Sequence, residues 1–507
     1  MLSAPPKRPS PSELFRVVFA RGGPQRTLHL TWIAFFLSFV VWFNFAPFAT
    51  DIGKQFNLDK GQLVTLGLCN LALTVPARLI IGGVLDRFGP RKTFSAILIY
   101  AFIPCILFAT AQSFTMLLIS RLLISVVGAG FVVGIRMVAE WFPPSEVGTA
   151  EGVYGGWGNF GAAAAAIVLP IIAGIAGGDE GWRWAGALTG IAAAIYGIAY
   201  AKLVSDTPAG VAYVRAKSAA ALEVTNRKAV FGLIAMFVPA ALALGVIVWR
   251  IRRVEVIGTS AMIVGFVLAA LFFVYQVAAV RRVNQQALSA NDYPADQQYP
   301  FRSVVVLSLA YFCTFGSELA AVSYLPQFFE STWGLSTAVA GAAASAFAFM
   351  NLVSRPVGGF ISDLVQSRKR WLAMLVGGLG LGYLAMSTMT SAWPVAGAIA
   401  LVLVVSIFAQ AGNGAVYAIV PLVRKQAGGQ IAGMAGAYGN IGGIAFLSTL
   451  LFVTPRGFFL IMGCASTIVL LCSRWLVEPT RHHATAETIA APDLITGEET
   501  PLVPVVV

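Results

Sequence analysis

Residues 70–92 read NLALTVPARLIIGGVLDRFGPRK, an apolar helical stretch with one arginine, Arg78, set inside it. Arg78 stands eight residues before Asp86, where the polar loop begins. At a rise of 1.5 Å per residue that is about 12 Å of helix, only part of which a side chain covers by snorkelling. A cation at membrane depth costs roughly 2.5–3.5 kcal/mol, so it needs a reason. The stretch has a second copy, MNLVSRPVGGFISDLVQSRKR at 350–370. Arg355 follows Arg78 by 277 positions, and the pairs Asp86/Asp363 and Arg91/Arg368 repeat that offset. Two buried arginines at equivalent places in two halves of one chain point to one site between the halves. Guanidinium groups are planar five-donor forks, suited to a flat oxyanion.

Composition agrees with a membrane setting. Of 507 residues 58% are hydrophobic and 11% charged, and mean hydropathy is +0.80; soluble domains carry about 25% charge. This predicts an all-α polytopic membrane protein in the lipid bilayer. The first 26 residues are polar and basic and lack the pattern of a cleavable signal. The net charge of +12 is no nucleic-acid signal, because the basic residues fall in short loops: Arg87, Arg91 and Lys92; Arg215 and Lys217; Arg368, Lys369 and Arg370; Arg424 and Lys425. All lie on one side if both termini are cytoplasmic, as the positive-inside rule asks. The five cysteines sit in apolar runs without metal or disulfide spacing, and His29, His482 and His483 read as surface residues.

Six apolar runs fall in a first half at 29–204 and six in a second at 301–477, with two more, near 229–249 and 256–280, in a central linker at 205–300. The expectation is fourteen spans, with cytoplasmic tails at 1–28 and 478–507. Arg250, Arg252 and Arg253 separate the extra pair, so a true crossing places basic residues outside. The alternative lays the pair at the interface; length favours crossing.

A second echo is a glycine-rich helix: GTAEGVYGGWGNFGA at 148–162 and GQIAGMAGAYGNIGG at 429–443. Asn159 and Asn440 are 281 positions apart, and four glycines repeat at that offset. Close helix packing accounts for the glycines; a polar Asn at the same place in both halves calls for an amide donor on a path. Among other charges, Arg136 and Glu140 have the spacing of a local pair. Arg121 and Arg302 read as interfacial anchors. Glu318 lies within an apolar helix and is a candidate for coupling, against a plain role in tying helices together.

GGVLDRFGPRK resembles the signature between helices 2 and 3 of the major facilitator superfamily, whose Asp and basic residues form a cytoplasmic gate. That implies Asp86 and Arg91, with Asp363 and Arg368 in the second copy; Leu364 and Gln366 depart from the pattern and imply a weaker second gate. The two GNxG helices resemble the twin signature of the nitrate/nitrite porter family. WFNFAPF at 42–48, YFCTFGSELAAVSYLP at 311–326 and AGNGAVYAIVP at 411–421 support this. The resemblance spans both six-helix halves but neither the central pair nor the tails. It implies that Arg78 and Arg355 clamp the anion beside Asn159 and Asn440. Tyr311 supplies a hydroxyl, and Phe315 and Phe131 supply walls. The expected function is proton-coupled nitrate uptake, with nitrite as second substrate. Nitrate/nitrite exchange, transport of a monocarboxylate and nitrate sensing are the alternatives. No cofactor, metal or enzymatic activity is expected, nor nucleic-acid binding, and the chain is expected to act as a monomer.

Overall fold

The computed structural model describes residues 10–478, apart from 177–179, 216–219, 290–292, 294–297, 336, 366 and 451. The C-terminal tail from 479, with His482 and His483, lies outside the described residues, as do Lys217 and Gln366. Among the described residues all regular structure is helical, and twelve helices are long and apolar enough to cross a membrane. Both central runs, Arg227–Arg253 and Thr259–Val283, are among the twelve. Two of the fourteen expected spans are not. One is broken into Thr337–Phe349 and Asn351–Leu364, and the other, Arg368–Met386, opens on three basic residues.

Nine helices hold the two internal copies, the central pair and the elements packed on them. They are α1 (Thr74–Phe88), α2 (Gly130–Trp141), α3 (Val147–Ala176), α4 (Arg227–Arg253), α5 (Thr259–Val283), α6 (Phe301–Trp333), α7 (Asn351–Leu364), α8 (Val395–Val423) and α9 (Gly428–Thr449). Two internal copies organise them. The helix leading into α1 breaks at Leu73 and the one leading into α7 breaks at Met350, again 277 positions apart. A break frees backbone N–H groups that must find partners. Leu73 gives its N–H to Ser125 Oγ at 3.1 Å, which ties the break to the short 3-10 segment Ser125–Ala129.

The halves meet by exchange: α3 of the first packs on α7 of the second, and α9 of the second on α1 of the first. Glycine makes both crossings possible. A Cβ on Gly148 would lie 2.5 Å from Asp363 Oδ1, and one on Gly429 2.5 Å from Asp86 Oδ1. One turn deeper, a Cβ on Gly152 would come within 2.9 Å of the Arg355 carbonyl oxygen, and one on Gly433 would come closer still to that of Arg78. Gly148, Gly152, Gly429 and Gly433 are therefore contact points between halves, whereas Gly158 and Gly161 meet Phe35 and Phe36, and Gly439 and Gly442 meet Tyr311 and Phe312, each within its own half.

The central pair forms a hairpin with α4 against α9. Its two ends are tied at opposite ends of the bundle. Asn284 accepts from the Val224 N–H at 2.6 Å and donates to the Leu222 carbonyl at 3.0 Å. Arg250 reaches the Gly61 carbonyl at 3.4 Å, where the chain re-enters the bundle at the other end. Outward faces stay apolar, as at Ile171, Leu268 and Leu271, which suits lipid as the solvent.

Candidate functional site

The two arginines converge. Arg78 is 0% and Arg355 1% exposed. Their Cζ atoms lie 5.3 and 5.2 Å from the centroid of one ring, Phe131 at the start of α2. The sum of these distances caps the separation of the cations at 10.5 Å. Local irregularity fixes Arg78: the 3-10 segment before α2 leaves the Gly128 carbonyl open, and Arg78 Nε donates to it at 3.2 Å. Arg78 Nη1 donates to the Gly436 carbonyl of α9 at 2.7 Å. Arg355 has one weaker tether, Nη2 to the Tyr311 hydroxyl at 3.3 Å. Among the described residues Arg78 Nη2 and Arg355 Nη1 have no hydrogen-bond partner. Buried guanidinium N–H groups are costly to leave unmet. One orphaned donor from each half, over a shared ring, is an arrangement able to accept an anion.

Aromatic rings wall it. Phe131 and Tyr311 lie parallel, 6.1 Å apart at 2°, and Tyr311 stacks on Phe315 at 4.9 Å and 7°. Arg78 also lies over Phe315, at 5.5 Å. The ring of Tyr417 of α8 stands perpendicular to those of Phe131 (4.7 Å) and Tyr311 (4.9 Å). The Tyr311 hydroxyl accepts from Arg355, so its own proton stays free to give. Tyr417 lies in AGNGAVYAIVP and was legible only as part of that stretch. Its position one turn after Asn413 is the signal that singles it out.

The asparagines are less alike than their sequences. Asn159 Nδ2 donates to Asn351 Oδ1 at 3.4 Å, across the α3–α7 crossing, whereas Asn440 Nδ2 turns back to Gly436 O at 3.2 Å. Asn440 thus shares with Arg78 the Gly436 carbonyl. The atom left unpartnered is Oδ1 in both. The Asn159 bond extends into a chain: Asn351 Nδ2 donates to Glu318 Oε1 at 2.6 Å, and Asn413 Nδ2 to Glu318 Oε2 at 2.7 Å. Glu318 ties α6, α7 and α8 together beside Arg355.

At the end of the bundle where the basic loops gather, Asp86 and Asp363 close the crossings. Asp86 accepts the N–H groups of Gly429 and Gln430 at 3.0 and 2.8 Å, so a carboxylate of one half caps α9 of the other. Asp363 does the same for α3, accepting from the N–H groups of Gly148 (3.1 Å) and Thr149 (2.5 Å) and from the Thr149 hydroxyl. Anions at helix N-termini gain about 0.3–2 kcal/mol each. The cations differ from the expected pair. Arg368 meets Asp363 at 2.7 Å, but Asp86 has Arg136 at 3.4 Å. Arg91 instead gives its backbone N–H to Asp206 at 2.7 Å. Arg136 is more than half of a local pair with Glu140 (2.8 Å), for it also holds the Lys425 carbonyl and the Tyr213 hydroxyl. The second copy is not the looser: Arg368 further donates to Ala418 O and Pro144 O, both at 2.7 Å.

Two further expectations change. Arg121 is no interfacial anchor: it is 1% exposed and donates to Asn44 Oδ1, Trp42 O and Asn70 Oδ1 at 2.6–2.7 Å. His29 is not a plain surface residue, since it accepts from Trp32 Nε1 at 2.9 Å and stacks on Trp157.

Known proteins share this architecture. A family profile described as Major Facilitator Superfamily matches residues 31–287 and 307–505. Nitrate/nitrite transporter NrtP of Picosynechococcus sp. is 46% identical, covering 93% of this chain and 97% of the relative. Nitrate/nitrite transporter NrtP of Nostoc punctiforme is 47% identical, covering 93% and 96%. Among solved structures, the proton:xylose symporter XylE bound to 6-bromo-6-deoxy-D-glucose superposes with a TM-score of 0.63 at 16% identity, over 92% of this chain and 99% of that one. That likeness speaks to the fold alone. A repeated arginine-bearing helix, twin glycine-rich helices at the crossings and relatives of this similarity give one conclusion: the chain belongs to the major facilitator superfamily, in its nitrate/nitrite porter family.

Proposed function

We propose that this multi-pass membrane transporter moves nitrate across the cell membrane by alternating access, with nitrite as its second substrate. The observation that carries the reading is the pair of orphaned guanidinium donors, Arg78 Nη2 and Arg355 Nη1, over the Phe131 ring. Nitrate is flat and monovalent. It can accept from both forks in its plane while parallel aromatic rings limit its thickness. The names of the relatives point the same way. Binding one anion between cations from opposite halves draws the halves together, and the capped crossings at Asp86 and Asp363 must part for release on that side.

In this reading the chain crosses fourteen times, the central hairpin included, because its ends are tied at opposite ends of the bundle. Arg87, Lys92, Arg368, Lys369 and Arg424 then mark the cytoplasmic side, where both termini lie. Transport is proton-coupled uptake by a monomer, and nitrate/nitrite exchange is the rival. Glu318, the carboxyl that the sequence marks for coupling, already has a donor on each oxygen. That arrangement suits a constant anion beside Arg355 better than a group that sheds its proton in each cycle.

Purified protein in liposomes without internal nitrite tests the reading. An inward proton gradient should drive accumulation of labelled nitrate, and nitrite should compete better than formate. Uptake that appears only with nitrite inside decides for exchange. Formate competing as well as nitrite decides for a monocarboxylate porter, and absence of nitrate flux under every condition favours sensing.

A further inference from the structure

The signature helix α3 carries a carboxyl that the anion site leaves unused. Glu151 is 1% exposed, and among the described residues neither of its oxygens has a hydrogen-bond partner. It precedes by one turn Gly155, where a Cβ would fall 2.6 Å from Arg355 Nε. Residues four apart share a helix face, so Glu151 lies on the side of α3 that meets Arg355. Arg355 Nη1 is itself without a partner. The titratable groups within electrostatic reach of Glu151 are Arg355 from α7, Tyr417 from α8 and Tyr154 from α3 itself. Among the described residues no other cation acts on it. A buried carboxylate without a donor is costly, so this arrangement suits the neutral acid. A small approach of Arg355 Nη1 would supply the missing donor to the anion.

Charge counting says what such a group does. Arg78 and Arg355 contribute two positive charges and Glu318 one negative. With Glu151 ionised the empty site is neutral. With one nitrate bound and Glu151 protonated it is neutral again. Nitrate alone leaves a net negative site, and a proton alone a net positive one. Net charge at membrane depth is costly, so the empty and doubly loaded forms are the two that reorient easily. That is the requirement for symport.

We propose that Glu151 is the proton-carrying carboxyl of the transport cycle, pairing with Arg355 when the site is empty and taking up one proton when nitrate displaces it. The inference rests on the reading of this chain as a nitrate transporter. The step makes one O–H bond on a Glu151 oxygen with a proton from solution, and no bond to nitrate is made or broken. Glu318 stays the constant anion.

The test is nitrate titration of the purified protein across pH, followed by tryptophan fluorescence and calorimetry, with the Glu151→Gln variant beside the native chain. If binding requires the protonated carboxyl, the native Kd rises with pH by up to about tenfold per unit once Glu151 ionises. Glu151→Gln, which cannot ionise and offers Arg355 no anion, should bind with a Kd that does not follow pH. Glu151→Met serves the same purpose if the amide variant fails to fold. Glu151→Asp should restore the slope. A slope that persists in a folded neutral variant, or a native Kd independent of pH, overturns the role of Glu151 and leaves the nitrate reading standing. A native protein that binds no nitrate at any pH overturns that reading and this inference with it.

Discussion

Arg355→Lys is the sharpest test of the clamp, because Arg355 does little else. Among the described residues its only hydrogen bond runs from Nη2 to the Tyr311 hydroxyl, at 3.3 Å, and Nη1 has no partner. Lysine keeps the charge but replaces a planar fork with a point donor. It cannot reach Tyr311 and the anion with two parallel N–H groups. The expected loss is one charge-assisted hydrogen bond to nitrate, about 1.5–3 kcal/mol. At about 1.4 kcal/mol per tenfold, that weakens nitrate binding roughly 10- to 150-fold. Calorimetric titration of the purified variant reads this directly, and uptake into liposomes should show the same rise in the concentration needed for half-maximal flux. Thermal stability should change little, since one long hydrogen bond is all the fold loses. Arg78→Lys is a useful contrast: Arg78 also holds Gly128 O and Gly436 O, so that variant should lose stability as well as binding. A folded Arg355→Lys protein that binds nitrate within about threefold of the native Kd would refute the two-fork clamp.

Other expectations rest on the same geometry. Gly155→Ala places a Cβ 2.6 Å from Arg355 Nε; it should impair transport by displacing the guanidinium, while Gly174→Ala, which meets nothing within 4 Å, should transport normally. Asn159→Ala removes the link that reaches Glu318 through Asn351, and Asn440→Ala frees the carbonyl shared with Arg78. Both should lower nitrate flux more than the amount of folded protein in the membrane, and a proportional loss of the two would mark a packing role alone. Replacing 205–295 by a flexible linker should leave the competitor profile of nitrite and formate unchanged. It also removes Tyr213, whose hydroxyl accepts from Arg136 and donates to Leu85 O. The Asp86 side should therefore open more readily, read as faster labelling of a cysteine placed at Ala427, which is buried just before the capped end of α9; unchanged labelling would show that the linker does not brace the gate.

Much of the fold was legible because membrane helices tolerate so little polarity. An arginine inside an apolar run is conspicuous, and its recurrence 277 positions later exposes the two halves at once. The repeated glycines are equally plain, since small residues at helical spacing mark where helices touch. The aromatic walls, Phe131 in α2 and Tyr311 and Phe315 in α6, come from the family resemblance, since no periodicity would single them out.

Rotation and partner choice were not legible. In a helix that is apolar all round, pattern does not say which face turns inward, so Tyr417 stays inconspicuous within its stretch. Glycine contacts fix that rotation: Gly414 of α8 packs on the Arg355 carbonyl of α7, and Gly148, Gly152, Gly429 and Gly433 make their contacts only when α3 meets α7 and α9 meets α1. Partner choice is hidden for the same reason. Arg91 is near Asp86 in sequence, but Arg136 arrives from another helix and wins the contact. Arg121 reads as an end-of-helix anchor because its partners, Asn44 and Asn70, come from elsewhere in the chain. Residue pattern alone was enough for the helices, their twofold repetition and the two cations. Which groups face those cations emerges only on folding, because it depends on how helices far apart in the chain are turned and crossed. By bringing Glu151 to the side of α3 that meets Arg355, folding also separates the carboxyl that has donors from the one that, among the described residues, has none.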